Sequence, residues 1–273
     1  MGRAFHRFLG LLPAIAMSCL AFASDPGVTI RQIKEGDTVY IVATMTSVEE
    51  ATITLTGTLN HMIAEPPFPL TVETDGSPTV ILSVIRADRF NANGDMTWKS
   101  TWLPGKKASG PRNLAPYRLP YRDGKHLVIQ GPHGKFSHDR GSLNEEALDF
   151  AMPIGTEVYA ARRGVVVGLR DDCDAGGLDE KYKLDFNYVL LRQEDGVYAE
   201  YVHLKHLGCA VKLGQRVADG QLIGYSGNTG YCSEPHLHFC VFNTIDGNSR
   251  TTYKVKFKLP SGEIVEPVEG ESY

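Results

Sequence analysis

The sequence predicts a mostly β protein built in two parts. Three observations carry this expectation. Short runs of β-branched and alternating residues recur through the first hundred positions, separated by turn-forming clusters. From about residue 121 glycines become frequent and evenly spaced, with short apolar runs between them. No stretch carries the apolar period of an amphipathic helix. The expected organisation is an N-terminal small β-sandwich-like domain over 24–103, a linker over 104–120, and a C-terminal antiparallel β-sheet or barrel-sandwich-like domain over 121–273.

The chain opens with a different pattern. Arg3 and Arg7 precede an apolar stretch, Phe8 to Ala23, that closes on Ala21-Phe22-Ala23. A charged start, an apolar middle and a small-x-small end describe a signal peptide over 1–23. The stretch is 16 residues long and is interrupted by Pro13 and Ser18. That is shorter than the ~20 residues a membrane span needs. The expectation is an exported chain, periplasmic or extracellular, with no integral membrane segment after cleavage.

In the front part, Thr38 to Thr44 is rich in β-branched residues, and Thr52 to Leu59 alternates with apolar side chains at 53, 55 and 59. Val80 to Ile85 reads as a short buried strand, and Met96, Trp98 and Trp102 share one face of another. Turns such as Asp75-Gly76-Ser77-Pro78 separate them. This region carries no catalytic constellation; His61 and the two tryptophans read as packing or surface residues. The linker holds four prolines at 104, 111, 116 and 120. In the back part, strands are expected at 158–160, 165–169, 188–191, 199–204, 222–225 and 237–242. Glycine-punctuated turns through Val211 to Gly224 mark the corner of a barrel-like β-sandwich, which speaks to fold and not to function.

The formal net charge is -4, and loss of Arg3 and Arg7 takes it to about -6. A mildly acidic chain argues against nucleic acid as its main partner. Four cysteines remain after residue 23: Cys173, Cys209, Cys232 and Cys240. An even count in an exported chain predicts two disulfides, with the pairing open. A bridge between Cys232 and Cys240 would stiffen the loop between them. The rival, a four-cysteine zinc site, lacks any C-x-x-C pair.

His236-Leu237-His238 follows a Gly/Pro-bounded loop and begins an apolar run. On a strand, the period of two sets both imidazoles on one face. His203, in Tyr201-Val202-His203-Leu204, sits in an alternating strand. Asp149, in Ala147-Leu148-Asp149-Phe150, is a carboxylate in an apolar run, where it must be paired or metal-bound. His138 lies in a loop eleven residues earlier, and by chemistry alone His133 and His126 compete with it. Two histidines and a carboxylate form a common zinc set for hydrolysis, with water in the fourth position. The helical His-Glu-x-x-His of many zinc proteases is absent.

Four motifs together resemble the lysostaphin-like zinc endopeptidases. They are Phe136-Ser137-His138, Leu148-Asp149-Phe150-Ala151-Met152-Pro153-Ile154-Gly155-Thr156, Tyr201-Val202-His203-Leu204, and Gly227-Asn228-Thr229-Gly230 with His236-Leu237-His238-Phe239. The resemblance runs from about 130 to 243. It implies a zinc peptidase domain that cleaves peptide cross-links of bacterial peptidoglycan, with one Zn2+ per chain. It implies His138, rather than His133, with Asp149 and His238 as metal ligands. It implies His203 and His236 as the pair that positions or deprotonates water and stabilises the oxyanion. One departure is plain: many members set the first His and the Asp four residues apart, and here the spacing is eleven.

The leading expectation is an exported zinc-dependent peptidoglycan endopeptidase. The alternatives are a non-catalytic cell-wall-binding or amidase-regulating module on the same fold, and a secreted zinc peptidase that acts on proteins. The front domain is expected to bind wall, dock a regulatory partner or cover the cleft.

Overall fold

Alternating residues in the front part fold into two facing sheets. The computed structural model describes residues 27–74, 76–87, 94–107 and 113–273; the expected signal peptide lies outside them. The strands are β1 (Val28–Glu35), β2 (Thr38–Met45), β3 (Ala51–Asn60), β4 (Met62–Glu65), β5 (Leu70–Glu73), β6 (Thr79–Ala87) and β7 (Asp95–Pro104). One antiparallel sheet runs β1-β2-β6-β4 and the other β5-β3-β7. Ile41 of β2 and Ile85 of β6 meet Ile53 and Leu55 of β3 in one apolar core. Each of these side chains is fully buried, which stabilises the fold by roughly 1.5–3 kcal/mol apiece.

The back part begins with β8 (Val128–Gln130), β9 (Leu148–Ala151), β10 (Glu157–Tyr159), β11 (Gly164–Arg170) and β12 (Gly176–Gly177). It continues with β13 (Tyr188–Gln193), β14 (Tyr198–Val202), β15 (Leu204–Cys209), β16 (Arg216–Val217), β17 (Leu222–Ser226), β18 (Gly230–Tyr231), β19 (His236–Thr244) and β20 (Arg250–Thr252). Among the described residues the only helical piece is a 3-10 turn at Glu180–Tyr182.

The main sheet runs β16-β11-β13-β14-β19-β9-β8, with β20 on the far half of β19. All its pairings are antiparallel. One face carries Val189, Leu191, Ala199, Tyr201, Leu237 and Phe239 into the core. That core is closed by Val158 and Ile223 of the smaller β10-β17-β15 sheet. Tyr117, from the proline-rich segment, is buried in the same core and donates to Gln193 at 2.7 Å. The opposite face of the main sheet floors an open cleft of about 600 Å³.

The front part docks on the edge of that cleft. Glu49 N–H donates to Val167 O at 2.7 Å, and Leu169 N–H to Ser47 O at 2.9 Å. The buried Glu50 carboxylate accepts from Tyr198 Oη at 2.6 Å and pairs with Arg192 at 3.1 Å. The end of β7, Trp102-Leu103-Pro104, thereby lines the cleft.

Two expectations are corrected. The predicted disulfides are not formed: all four cysteines are free. The Cys232 thiol donates to Asn228 Oδ1 at 3.0 Å in the loop before β19. Cys240 lies within β19, four residues past His236, or about 13 Å farther along the strand. Burial pushes the Cys173 thiol up to about 11 and the Cys209 thiol up to about 12, which suppresses their thiolates. The second correction concerns the strand expected at 199–204. It breaks at His203, whose φ of 63° turns the chain between β14 and β15. Val202 therefore lines the cleft while Leu204 enters the core.

Candidate metal centre

Antiparallel register brings the first part of the site together. β9 pairs with β19 so that Asp149 lies opposite His238 and Ala151 opposite His236. His238 Nδ1 lies 2.9 Å from Asp149 Oδ1. The loop after β8 adds His138, whose Nε2 lies 3.4 Å from His238 Nδ1 and 3.5 Å from Asp149 Oδ2. All three residues are buried. Ligand atoms about 2.0–2.1 Å from a tetrahedral zinc stand about 3.3 Å apart, so these three converge at the spacing of a zinc site. Two imidazole nitrogens and a carboxylate are also the donor types that zinc takes in sites that keep a water.

Each donor is oriented from outside. His138 Nδ1–H donates to Gly131 O at 3.1 Å, which leaves the Nε2 lone pair facing the other two donors. Gln130 holds the turn that carries His138. Its Oε1 accepts from the Phe136 and Ser137 amides at 2.9 and 3.0 Å, and its Nε2 donates to Asp149 Oδ2 at 2.9 Å. Gln130 therefore ties a loop ligand to a strand ligand across the long 138–149 connection.

His203 and His236 lie beside this centre, with ring centroids 4.4 Å apart. His203 Nδ1–H donates to Thr229 O at 2.6 Å and His236 Nδ1–H to Glu234 O at 2.8 Å. A carbonyl only accepts, so each neutral ring keeps its lone pair on Nε2. His236 Nε2 is 3.9 Å from Asp149 Oδ1. The 228–230 loop that positions His203 is itself fixed: Thr229 Oγ1 donates to Leu204 O at 2.8 Å and accepts from the Asn187 amide at 3.0 Å.

Electrostatics separates the histidines. Burial pushes His138 down to about 4 and, with His236 and His238 nearby, His203 down to about 3. Burial opposes charge on His238 too, but Asp149 and Glu200 overcome it and raise it to about 9. Asp149 is lowered against its own burial by the three imidazoles around it.

Of the sequence-predicted residues, Asp149, His203, His236 and His238 line one cleft, and the fully buried His138 reaches Asp149 and His238 from behind it. His126 lies between Asp123 and Ala151 O, each at 2.8 Å. His133 sits between Glu145 and Glu146, at 3.4 and 3.6 Å. Sequence reasoning missed Gln130, Glu200 and Arg250. For Gln130 and Glu200 the available signal was a polar residue inside an apolar run; Arg250, between Ser249 and Thr251, carried none. Glu200 is largely buried on β14, and its Oε1 lies 2.6 Å from Arg250 and 3.7 Å from His238 Nε2.

Residues 144–251 match the family model described as Peptidase family M23. The matched segment includes Asp149, His203, His236 and His238, and it begins after His138. The chain is 45% identical over 91 residues to the peptidoglycan DD-endopeptidase ShyA of Vibrio cholerae, covering 33% of this chain and 18% of that protein. It is 41% identical over 93 residues to lysostaphin of Staphylococcus simulans, covering 34% of this chain and 17% of that protein. The chain thus spans about a fifth of the length of these relatives. The solved catalytic domain of lysostaphin aligns at 30% identity with a TM-score of 0.34, covering 48% of this chain and 88% of that domain.

Proposed function

We propose that this protein is an exported zinc endopeptidase that hydrolyses peptide cross-links of bacterial peptidoglycan. The observation that carries the reading is the convergence of His138 Nε2, Asp149 and His238 Nδ1 beside His203 and His236 in an open cleft. The relatives named for peptidoglycan and the signal-like residues 1–23 support the substrate and the export. In this reading the organisation is 24–103, 104–120 and 121–273, with the catalytic unit last.

His138, Asp149 and His238 would hold one zinc ion. Zinc, when bound, acidifies a water and polarises the scissile carbonyl. His203 and His236 each present an Nε2 lone pair to the cleft, so either can take the proton from the attacking water. The ring that takes it becomes a donor on Nε2. It can then stabilise the developing oxyanion and pass the proton to the leaving amine. The strained backbone at His203 and its 2.6 Å bond to Thr229 O hold the ring for this exchange.

The test is release of new peptide termini from purified peptidoglycan, followed by mass spectrometry with and without a chelator. His238→Ala is expected to lose zinc and activity together. His203→Ala is expected to keep zinc and lose activity at least 100-fold. Wall binding without cleavage by the zinc-loaded protein would instead favour the non-catalytic module. Cleavage by metal-free wild type would reject the scheme.

A further inference from the structure

Two of the three metal-facing donors have an evident outer partner, and the third poses a question. A neutral imidazole that offers Nδ1 to a cation carries its proton on Nε2, and inside a protein that proton needs an acceptor. For His138 the acceptor is Gly131 O at 3.1 Å, and Asp149 receives Gln130 Nε2 at 2.9 Å. For His238 the group facing Nε2 is the Glu200 carboxylate, at 3.7 Å. Glu200 is directly placed for this by register. β14 pairs with β19 so that Glu200 stands opposite Cys240 and Val202 opposite His238, on the cleft face.

Glu200 is itself held. Arg250 donates to Glu200 Oε1 at 2.6 Å, and its other donors go to Leu143 O and Asn144 Oδ1. Leu143 and Asn144 belong to the long connection between His138 and Asp149. The Arg250 side chain is 6% exposed and that of Glu200 13% exposed. A buried Glu–Arg pair is poor at stabilising a fold, because desolvation cancels most of its attraction. As an anchor for His238 and the 138–149 loop at once, the pair has a use that burial alone does not supply.

We infer that Glu200 is a positioning residue: it accepts the Nε2–H of His238 and fixes the tautomer and angle with which Nδ1 meets the metal, while Arg250 holds Glu200 against the loop that carries His138. The inference rests on the proposed metal site. It concerns a carboxylate that is not itself a ligand.

The test is the zinc dissociation constant, measured by competition with a chromophoric chelator on the full chain. Glu200→Ala should bind zinc about 10- to 100-fold more weakly than wild type. Glu200→Gln keeps an acceptor oxygen at the same reach and should recover most of that loss. Val167→Ala, a trim in the core next to Cys240, should lower thermal stability without changing zinc affinity. Should Glu200→Ala fail to fold, Glu200→Leu combined with Arg250→Leu removes the pair without leaving a lone charge, and should show the same weakened zinc binding. Wild-type zinc affinity in folded Glu200→Ala, or in the Glu200→Leu, Arg250→Leu pair, would overturn the inference while sparing the metal site. A raised KM at unchanged zinc affinity would assign Glu200 to the substrate and also overturn it. A wild type that binds no zinc would overturn both readings.

Discussion

His238 is the residue on which the chemistry turns, because two carboxylates compete for its protons. In the metal-free protein they raise it to about 9 in spite of burial, so at pH 7 it is an imidazolium. Metal binding needs Nδ1 bare, so a proton must leave. His138, pushed down to about 4, and Asp149, lowered well below its ordinary range, are already deprotonated at that pH. Zinc uptake at pH 7 should therefore release at least one proton, the one from His238, with ionisation of a zinc-bound water adding to it. Affinity should rise about tenfold per pH unit up to about pH 9 and level off above it. Titration calorimetry in two buffers of different ionisation enthalpy reads the proton count directly. No release at pH 7 would contradict this account. His203 is shifted the other way: lowered to about 3 by burial, it stays neutral through the working range with its Nε2 lone pair free.

At the scale of elements, strands supply Asp149, His236 and His238, whereas turns supply His138 and His203. Strand residues need only a correct register. Turn residues need local clamps, and Gln130 and Thr229 are those clamps. Gly230 is the tightest point of the second one. Its φ is 87°, and an added Cβ would stand 2.6 Å from Phe186 Cβ and 3.4 Å from His203 Nδ1. Gly230→Ala is expected to shift Thr229 and His203 together, lowering kcat at least tenfold while zinc affinity stays within about twofold of wild type. Equal kcat in the variant would show that the loop tolerates the change. The histidine pair at 236 and 238 was legible from the period of two. The sharp turn at His203 was not, because alternation in Tyr201-Val202-His203-Leu204 fits a straight strand equally well.

For the whole molecule, the front part is joined to the main sheet by backbone bonds, by a buried carboxylate and by side-chain bonds such as Gly247 N–H to Thr54 Oγ1 at 2.9 Å. Glu50 receives Tyr198 Oη and faces Arg192 and Lys106. Glu50→Ala leaves the buried Tyr198 hydroxyl without this acceptor and should cost about 1–3 kcal/mol in chemical denaturation. A loss below about 0.5 kcal/mol would mean that the interface holds without this carboxylate. Because Trp102, Leu103 and Pro104 line the cleft from its side, the front part forms a wall of the site in this arrangement. The cysteines carry the contrary lesson. Their even number suggested bridges, but pairing depends on where the strands carry each thiol, and here all four stay free.

By itself the sequence determined the β character of the chain and the shared face of His236 and His238, while the resemblance of its motifs pointed to the five candidate residues. Periodicity and residue type are local properties, and a strand's faces follow from its own alternation. Only the tertiary structure decided that His138 reaches Asp149 across eleven residues, that His203 sits on a break, and that Glu200 and Arg250 stand behind His238. Those facts depend on which strands become neighbours and on which loop carbonyls are left to accept. Both are set when distant segments pack, and neither is written in any one of them.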